Sequence, residues 1–235
     1  MKIGVAAPLR STAVLLSLSL AGLPGSMWAT GGDLAERLAK GPRAPGDAGH
    51  ARAQELRLES MEAAGLVEMR RAGPIGGERW VHLTGVLPGQ GSHEVVLSAH
   101  YDTTAGSRGL LDNASGCAVI VAAAVRLVSE PRRHEVRLLF TDGEESQAAG
   151  SRAWTEALEP RLRREILAAA NVDMVGRSHS AGQPGILHLV SARPGGKRSL
   201  SPAWLVHAVL RAAEASELEI VVLDPHWSWF AQLAV

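Results

Sequence analysis

Three short stretches of this chain place a histidine or an acid at the end of an apolar run, and a fourth places one at the start of an apolar helical run. Ser98-Ala99-His100-Tyr101-Asp102 follows Val95–Leu97, and Asp112-Asn113-Ala114-Ser115-Gly116 opens an apolar helical run. Asp142-Gly143-Glu144-Glu145 follows Leu138–Phe140, and Asn171-Val172-Asp173-Met174 follows Ala168–Ala170. In an open α/β sheet, groups at the carboxyl ends of strands converge on one crevice. His100, Asp112, Glu145 and Asp173 are therefore expected to meet. One imidazole and three carboxylates form a hard, mostly oxygen shell that suits two divalent ions sharing a carboxylate. Without metal charge the three acids would repel one another. Zinc accepts such ligands and keeps a position open for water. Glu144, beside a ligand carboxylate, is then free to take a proton from that water. Asp102 is placed to accept a hydrogen bond from the second nitrogen of His100, fixing tautomer and orientation.

Each residue alone also has an ordinary use. Asp112 can cap the helix that follows it, with Asn113 or Ser115 equally able. His100 can be a strand-edge histidine, Glu144–Glu145 a solvated turn, and Asp173 a buried acid. Chance explains four such placements less well than one.

The elements that must hold these groups follow from periodicity. A helix is expected over Ala51–Leu66, and strands over Trp80–Leu87 and Glu94–Ala99 around the turn Pro88–Gly91. An apolar helix runs over Ala114–Val128, closed by Pro131. Then come a strand at Glu135–Phe140, a helix at Ala148–Leu158 and a buried strand at Ala168–Asp173. A strand at Gly185–Ser191, a helix at Pro202–Ala215 and a strand at Leu218–Leu223 complete the pattern. Such alternation predicts an α/β fold with a mixed, mostly parallel β-sheet sandwiched by helices.

Composition sets the outer limits. Of 235 residues, 46% are hydrophobic, enough for a core and against global disorder. Basic and acidic residues balance at 24 each, without the positive excess of a nucleic-acid binder. A single cysteine, Cys117, excludes a disulfide framework and a cysteine-rich zinc site, and reads as an inert buried thiol. No glycine-rich phosphate loop sits between a strand and a helix. Residues 1–29 read as a secretory signal peptide, with Lys2 and Arg10 ahead of the apolar stretch Ala13–Leu23. Residues 30–79 form an N-terminal entry segment and helix, with 30–50 rich in Gly, Ala and Pro and read as mobile. Residues 80–235 form the domain that carries the four stretches, expected to be incomplete at its C-terminus. The expected mature protein is weakly acidic, secreted or periplasmic, without stable membrane insertion once the leader is cleaved.

The strings VVLSAHYDT, LLDNASGCA, FTDGEESQAAGS and NVDMVG, in this order, resemble the zinc-dependent exopeptidase family of bacterial secreted aminopeptidases. That family is related to aminopeptidase Y, glutamate carboxypeptidase and the glutaminyl cyclases. Its four site positions here are spaced by 12, 33 and 28 residues, and the likeness is firm from Trp80 to Gly176. The resemblance implies a phosphorylase/hydrolase-like exopeptidase fold and two zinc ions per chain. It implies that His100 and Asp173 bind one zinc, that Asp112 bridges both, and that Glu145 binds the second. It makes Glu144 the general base toward a bridging water and Asp102 the group that orients His100. Peptides would be the substrates, cleaved at the amino end.

The chain departs from the family near its C-terminus, where a further histidine ligand is expected and no matching string occurs. Asp224-Pro225-His226-Trp227-Ser228 instead resembles an earlier segment beside the substrate pocket. C-terminal truncation and recruitment of His226 as a ligand are the two explanations, and truncation is the expectation. The second zinc site would then be incomplete. A non-catalytic or partially active binding domain is the alternative of another class, and single-zinc glutaminyl cyclisation a further one. The Asp112–Gly116 string looks more like the peptidases. His82, His188 and His207 read as structural, and His93, His134 and His179 as loop residues. Trp227, Trp229 and Phe230 read as packing.

Overall fold

A computed structural model describes residues 13–17, 33–73, 79–175, 186–192, 207–208, 211–212 and 219–222. The strands are β1 (Ala13–Ser17), β2 (Val67–Ala72), β3 (His82–Leu87), β4 (Glu94–His100), β5 (Glu135–Thr141), β6 (Ile166–Val172), β7 (Ile186–Ala192) and β8 (Glu219–Val222). The helices are α1 (Ala48–Ala63), α2 (Gly116–Leu127), α3 (Ala149–Ala157) and α4 (Pro160–Glu165), with a π-type turn over Leu110–Ser115 before α2. Residues 33–38 add a short helix.

The strands form one mixed sheet in the order β2-β3-β5-β4-β6-β1-β7-β8. Its centre is parallel: β5, β4, β6 and β1 run the same way. Antiparallel pairing adds β3 and β2 on one side and joins β1 to β7 on the other. This is the expected α/β class. β3 and β4, although joined by a short turn, do not pair, because β5 lies between them.

Besides α4 and the short 33–38 helix, two strands were not expected. β2 (VEMRRA) is an edge strand, mostly exposed, whose charges fit a solvated edge. β1 comes from the stretch read as a leader, with Ala13 aligned to Ala169 and Ala192. The helix expected over Pro202–Ala215 is described only at 207–208 and 211–212, where His207 is exposed.

Apolar side chains from both helices and strands build the core. Leu56 and Met61 of α1 join Leu83 and Leu87 of β3, Ala99 of β4, and Leu138 and Phe140 of β5. Cys117, Ile120, Val121 and Ala124 of α2 belong to the same cluster. Helix α2 is apolar around most of its circumference, which fits a helix with most of its residues buried. Between the short 33–38 helix and α1, Arg43 is fully buried and bonded to the loop after β4. The described part of the entry segment is thus a packed strap rather than a mobile lead-in.

Candidate metal centre

Three neighbouring parallel strands end together. His100, the last residue of β4, aligns with Thr141, the last of β5, and Ser98 aligns with Asn171 of β6. The residues that follow these ends, Asp102, Asp142–Glu145 and Asp173, therefore emerge on one edge of the sheet. The register brings together groups that lie far apart in the chain.

Asp112 arrives from the side, on the π-type turn. The Ala114 N–H donates to Gly109 O at 3.0 Å, and Asp112 and Asn113 leave helical geometry, with a cis peptide bond between them. Irregular turns of this kind concentrate at functional sites. Asn113, not Asp112, ties this turn to its neighbours. Its Nδ2 donates to Val172 O at 2.9 Å, and its Oδ1 accepts from Gly116 N at 2.9 Å and Met174 N at 3.3 Å. Gly116 allows the approach, since a Cβ there would meet Val172 O at 2.3 Å. Of the cap candidates, the asparagine thus holds the helix start and leaves Asp112 facing the site.

His100 is the hub. Its Nε2 lies 3.0 Å from Asp112 Oδ1, 3.4 Å from Asp173 Oδ1 and 4.0 Å from Glu144 Oε2. Its Nδ1 faces Asp102 Oδ1 at 3.5 Å. The ring is buried, and neither nitrogen makes an aligned hydrogen bond. Asp102, equally buried, accepts the backbone N–H groups of Glu144 at 3.2 Å and Glu145 at 3.1 Å. Burial opposes protonation of His100, but the Asp102, Asp112 and Asp173 carboxylates together hold its pKa well above the usual histidine value. Burial would raise the pKa of Asp102; His100 and the two amides outweigh it and hold it low.

Glu144 behaves differently. Burial, with repulsion from Asp173, Glu145 and Asp102 and against the pull of His100, lifts its pKa to about 7. Glu145 is also raised, by burial and then by Asp112. The ligand atoms of His100, Asp112 and Asp173 lie within 4.8 Å of one another, as do those of His100, Glu144 and Glu145. A buried imidazole nitrogen without an aligned hydrogen bond, ringed by carboxylates, fits a divalent cation. Five acids around one imidazole call for positive charge.

Sequence reasoning missed a second layer. His50 of α1 contacts Asp142 Oδ1 through Nε2 at 2.9 Å and stacks on the Tyr101 ring, centroids 5.1 Å apart. Asp142 Oδ2 accepts Val81 N at 3.1 Å. This network braces the start of the Asp142–Glu145 loop. Asp142 standing two residues ahead of Glu144 was the available signal; nothing local marked His50 as its partner. His226, and with it Asp224–Phe230 and His179, lie outside the described residues.

Residues 82–220 match peptidase family M28. The chain belongs to peptidase family M28. An aminopeptidase of Pseudomonas aeruginosa is 32% identical over 88 residues, a match taking in 37% of this M28 chain and 16% of that relative. The chain thus spans less than a fifth of that relative's length. Among solved structures, the LapA aminopeptidase of Legionella pneumophila superposes with a TM-score of 0.66 at 16% identity, covering 83% of this chain and 54% of that one. A glutaminyl cyclase of Porphyromonas gingivalis superposes with a TM-score of 0.62 at 19% identity, covering 88% and 80%. At these identities the superpositions establish the fold.

Proposed function

We propose that this M28 chain is a zinc-dependent exopeptidase of the aminopeptidase type, acting on the amino end of peptides. The observation that carries the reading is His100 Nε2, buried and facing Asp112 at 3.0 Å and Asp173 at 3.4 Å. His100, Asp112 and Asp173 would hold one ion. Glu145, whose ligand atoms lie within 4.8 Å of those of His100 and Glu144, would hold a second together with Asp112. When bound, zinc supplies Lewis-acid charge that polarises a peptide carbonyl and acidifies water. Asp102 holds the His100 ring through Nδ1 and keeps Nε2 turned toward the carboxylates. Glu144, at the edge of the same cluster and with a raised pKa, takes a proton from the attacking water and returns it to the leaving amine.

The test is a side-by-side assay of leucinamide hydrolysis and of cyclisation of an N-terminal glutaminyl peptide, before and after chelation. Zinc-restored leucinamide hydrolysis is the expected result. Cyclisation without hydrolysis would replace the reading with transferase chemistry, and zinc uptake with neither activity would point to a binding domain.

Export of the chain is part of the same proposal and rests on the composition of residues 1–29. The pairing of Ala13–Ser17 with β6 and β7 gives that stretch a competing structural use. N-terminal sequencing of the protein from an expressing cell decides between them. A start near Thr30 supports export; an N-terminus that keeps Ala13–Ser17 contradicts cleavage.

A further inference from the structure

Arg43 is a fully buried guanidinium that forms no ion pair among the described residues. Its partners are main-chain carbonyls from three segments. Nε donates to Tyr101 O at 2.8 Å, Nη1 to Leu38 O at 3.0 Å and Arg108 O at 2.7 Å, and Nη2 to Gly109 O at 2.9 Å. The Arg43 N–H donates to Thr103 Oγ1 at 2.9 Å, and Arg108 Nε returns to Ala39 O at 2.7 Å. Burial, then repulsion from Arg57, brings its pKa down to about 10, so it stays charged at neutral pH. A buried cation is costly unless its donors are met, and here carbonyl dipoles meet them.

The positions of those carbonyls give the residue its significance. Tyr101 stands between His100 and Asp102. Gly109 O also accepts the Ala114 N–H that opens the turn carrying Asp112. Gly109 has φ of +51°, and a Cβ there would meet Arg43 Nη2 at 2.8 Å and Thr103 Cγ2 at 2.3 Å, so only glycine admits this approach. One guanidinium thus spans the two backbone segments whose side chains, His100 and Asp112, meet at 3.0 Å.

Resting on the metal-site reading above, we propose that Arg43 is a positioning residue for the metal centre, clamping the β4 exit to the Gly109 turn so that His100 and Asp112 are held at ligand spacing. It touches neither substrate nor metal. Arginine suits the task because its planar fork serves several acceptors at once, which a lysine ammonium at the end of a flexible stem cannot reproduce.

The test uses the full chain, with Arg43→Met and Arg43→Lys. Zinc affinity is read by chelator competition at a temperature where thermal denaturation shows every variant folded, and hydrogen exchange is read over residues 101–112. The expected result is zinc binding weakened roughly tenfold or more in R43M, with partial recovery in R43K, and faster exchange over 101–112. R43M that binds zinc like the wild type, even with a lower Tm, would overturn the proposal, because a purely structural residue would shift stability alone. If R43M does not fold, R43K carries the test, and wild-type zinc affinity in R43K overturns it. If the wild-type chain takes up no zinc, the metal-site reading fails on its own. The clamp is then judged by exchange: faster exchange in R43M supports it, and unchanged protection overturns it.

Discussion

The carboxylate of Asp102 accepts the Glu145 N–H at 3.1 Å while its other oxygen lies 3.5 Å from His100 and accepts the Glu144 N–H at 3.2 Å. One buried side chain therefore faces the His100 ring and also fixes the path of the loop that carries Glu144. Asp102→Asn places an amide nitrogen where an acceptor is needed, so one of these contacts becomes donor against donor. The expected outcome is a drop of roughly 10–100-fold in zinc affinity, measured by chelator competition, with loss of activity following it.

Glu144→Gln separates proton transfer from metal binding. The variant should keep wild-type zinc content by elemental analysis while kcat falls by roughly 10²–10⁴-fold. Only the ionised carboxylate accepts a proton, so wild-type activity falls as pH drops through the Glu144 pKa. That pKa is about 7 from burial and neighbouring acids. A cation nearby favours the ionised form and moves it down, so the acid limb of kcat/KM should lie at or below about 7.

Asn113 is buried and makes three hydrogen bonds, to Val172 O, Gly116 N and Met174 N. Asn113→Ala leaves those groups without their partner and should lower stability by about 3 kcal/mol, taking ~1 kcal/mol per bond. Urea denaturation measures this directly. The loss should come as a lower midpoint with an unchanged slope.

His82 supplies the clearest pH dependence of stability. It is buried at the start of β3, its Nδ1 accepts Asp142 N at 3.3 Å, and burial lowers its pKa from 6.5 against the pull of Asp142. The unfolded chain therefore binds the proton more readily. Stability from this group is complete above about 6.5 and is lost as the pH falls toward the lower folded value. Thermal denaturation should show Tm falling more steeply below that pH in the wild type than in His82→Gln.

The site was legible because its residues cluster at or just after the ends of apolar strands in a parallel sheet. His100 ends β4 and Asp102 comes two residues later, Glu144 and Glu145 follow β5 within four residues, Asp173 follows β6 directly, and Asp112 precedes an apolar helix. The residues that hold them do not follow any local rule. Arg43 sits in a stretch rich in Gly, Ala and Pro, and its burial depends on carbonyls up to 66 positions away. His50 finds Asp142 across 92 positions. Strand β2, with charges at Glu68, Arg70 and Arg71, has no apolar alternation because it is an exposed edge, and α4 is too short and too charged to show a helical period. That β5 separates β3 from β4 is a matter of non-local pairing, which no short window of sequence contains.

Bound zinc tests the account most directly. Elemental analysis of the purified full chain after dialysis into metal-free buffer should find zinc retained by the wild type and lost from His100→Ala and Asp112→Ala, with both variants still folding cooperatively. A wild-type chain that holds no zinc, or a His100→Ala chain that holds as much as the wild type, would contradict a metal centre built on His100.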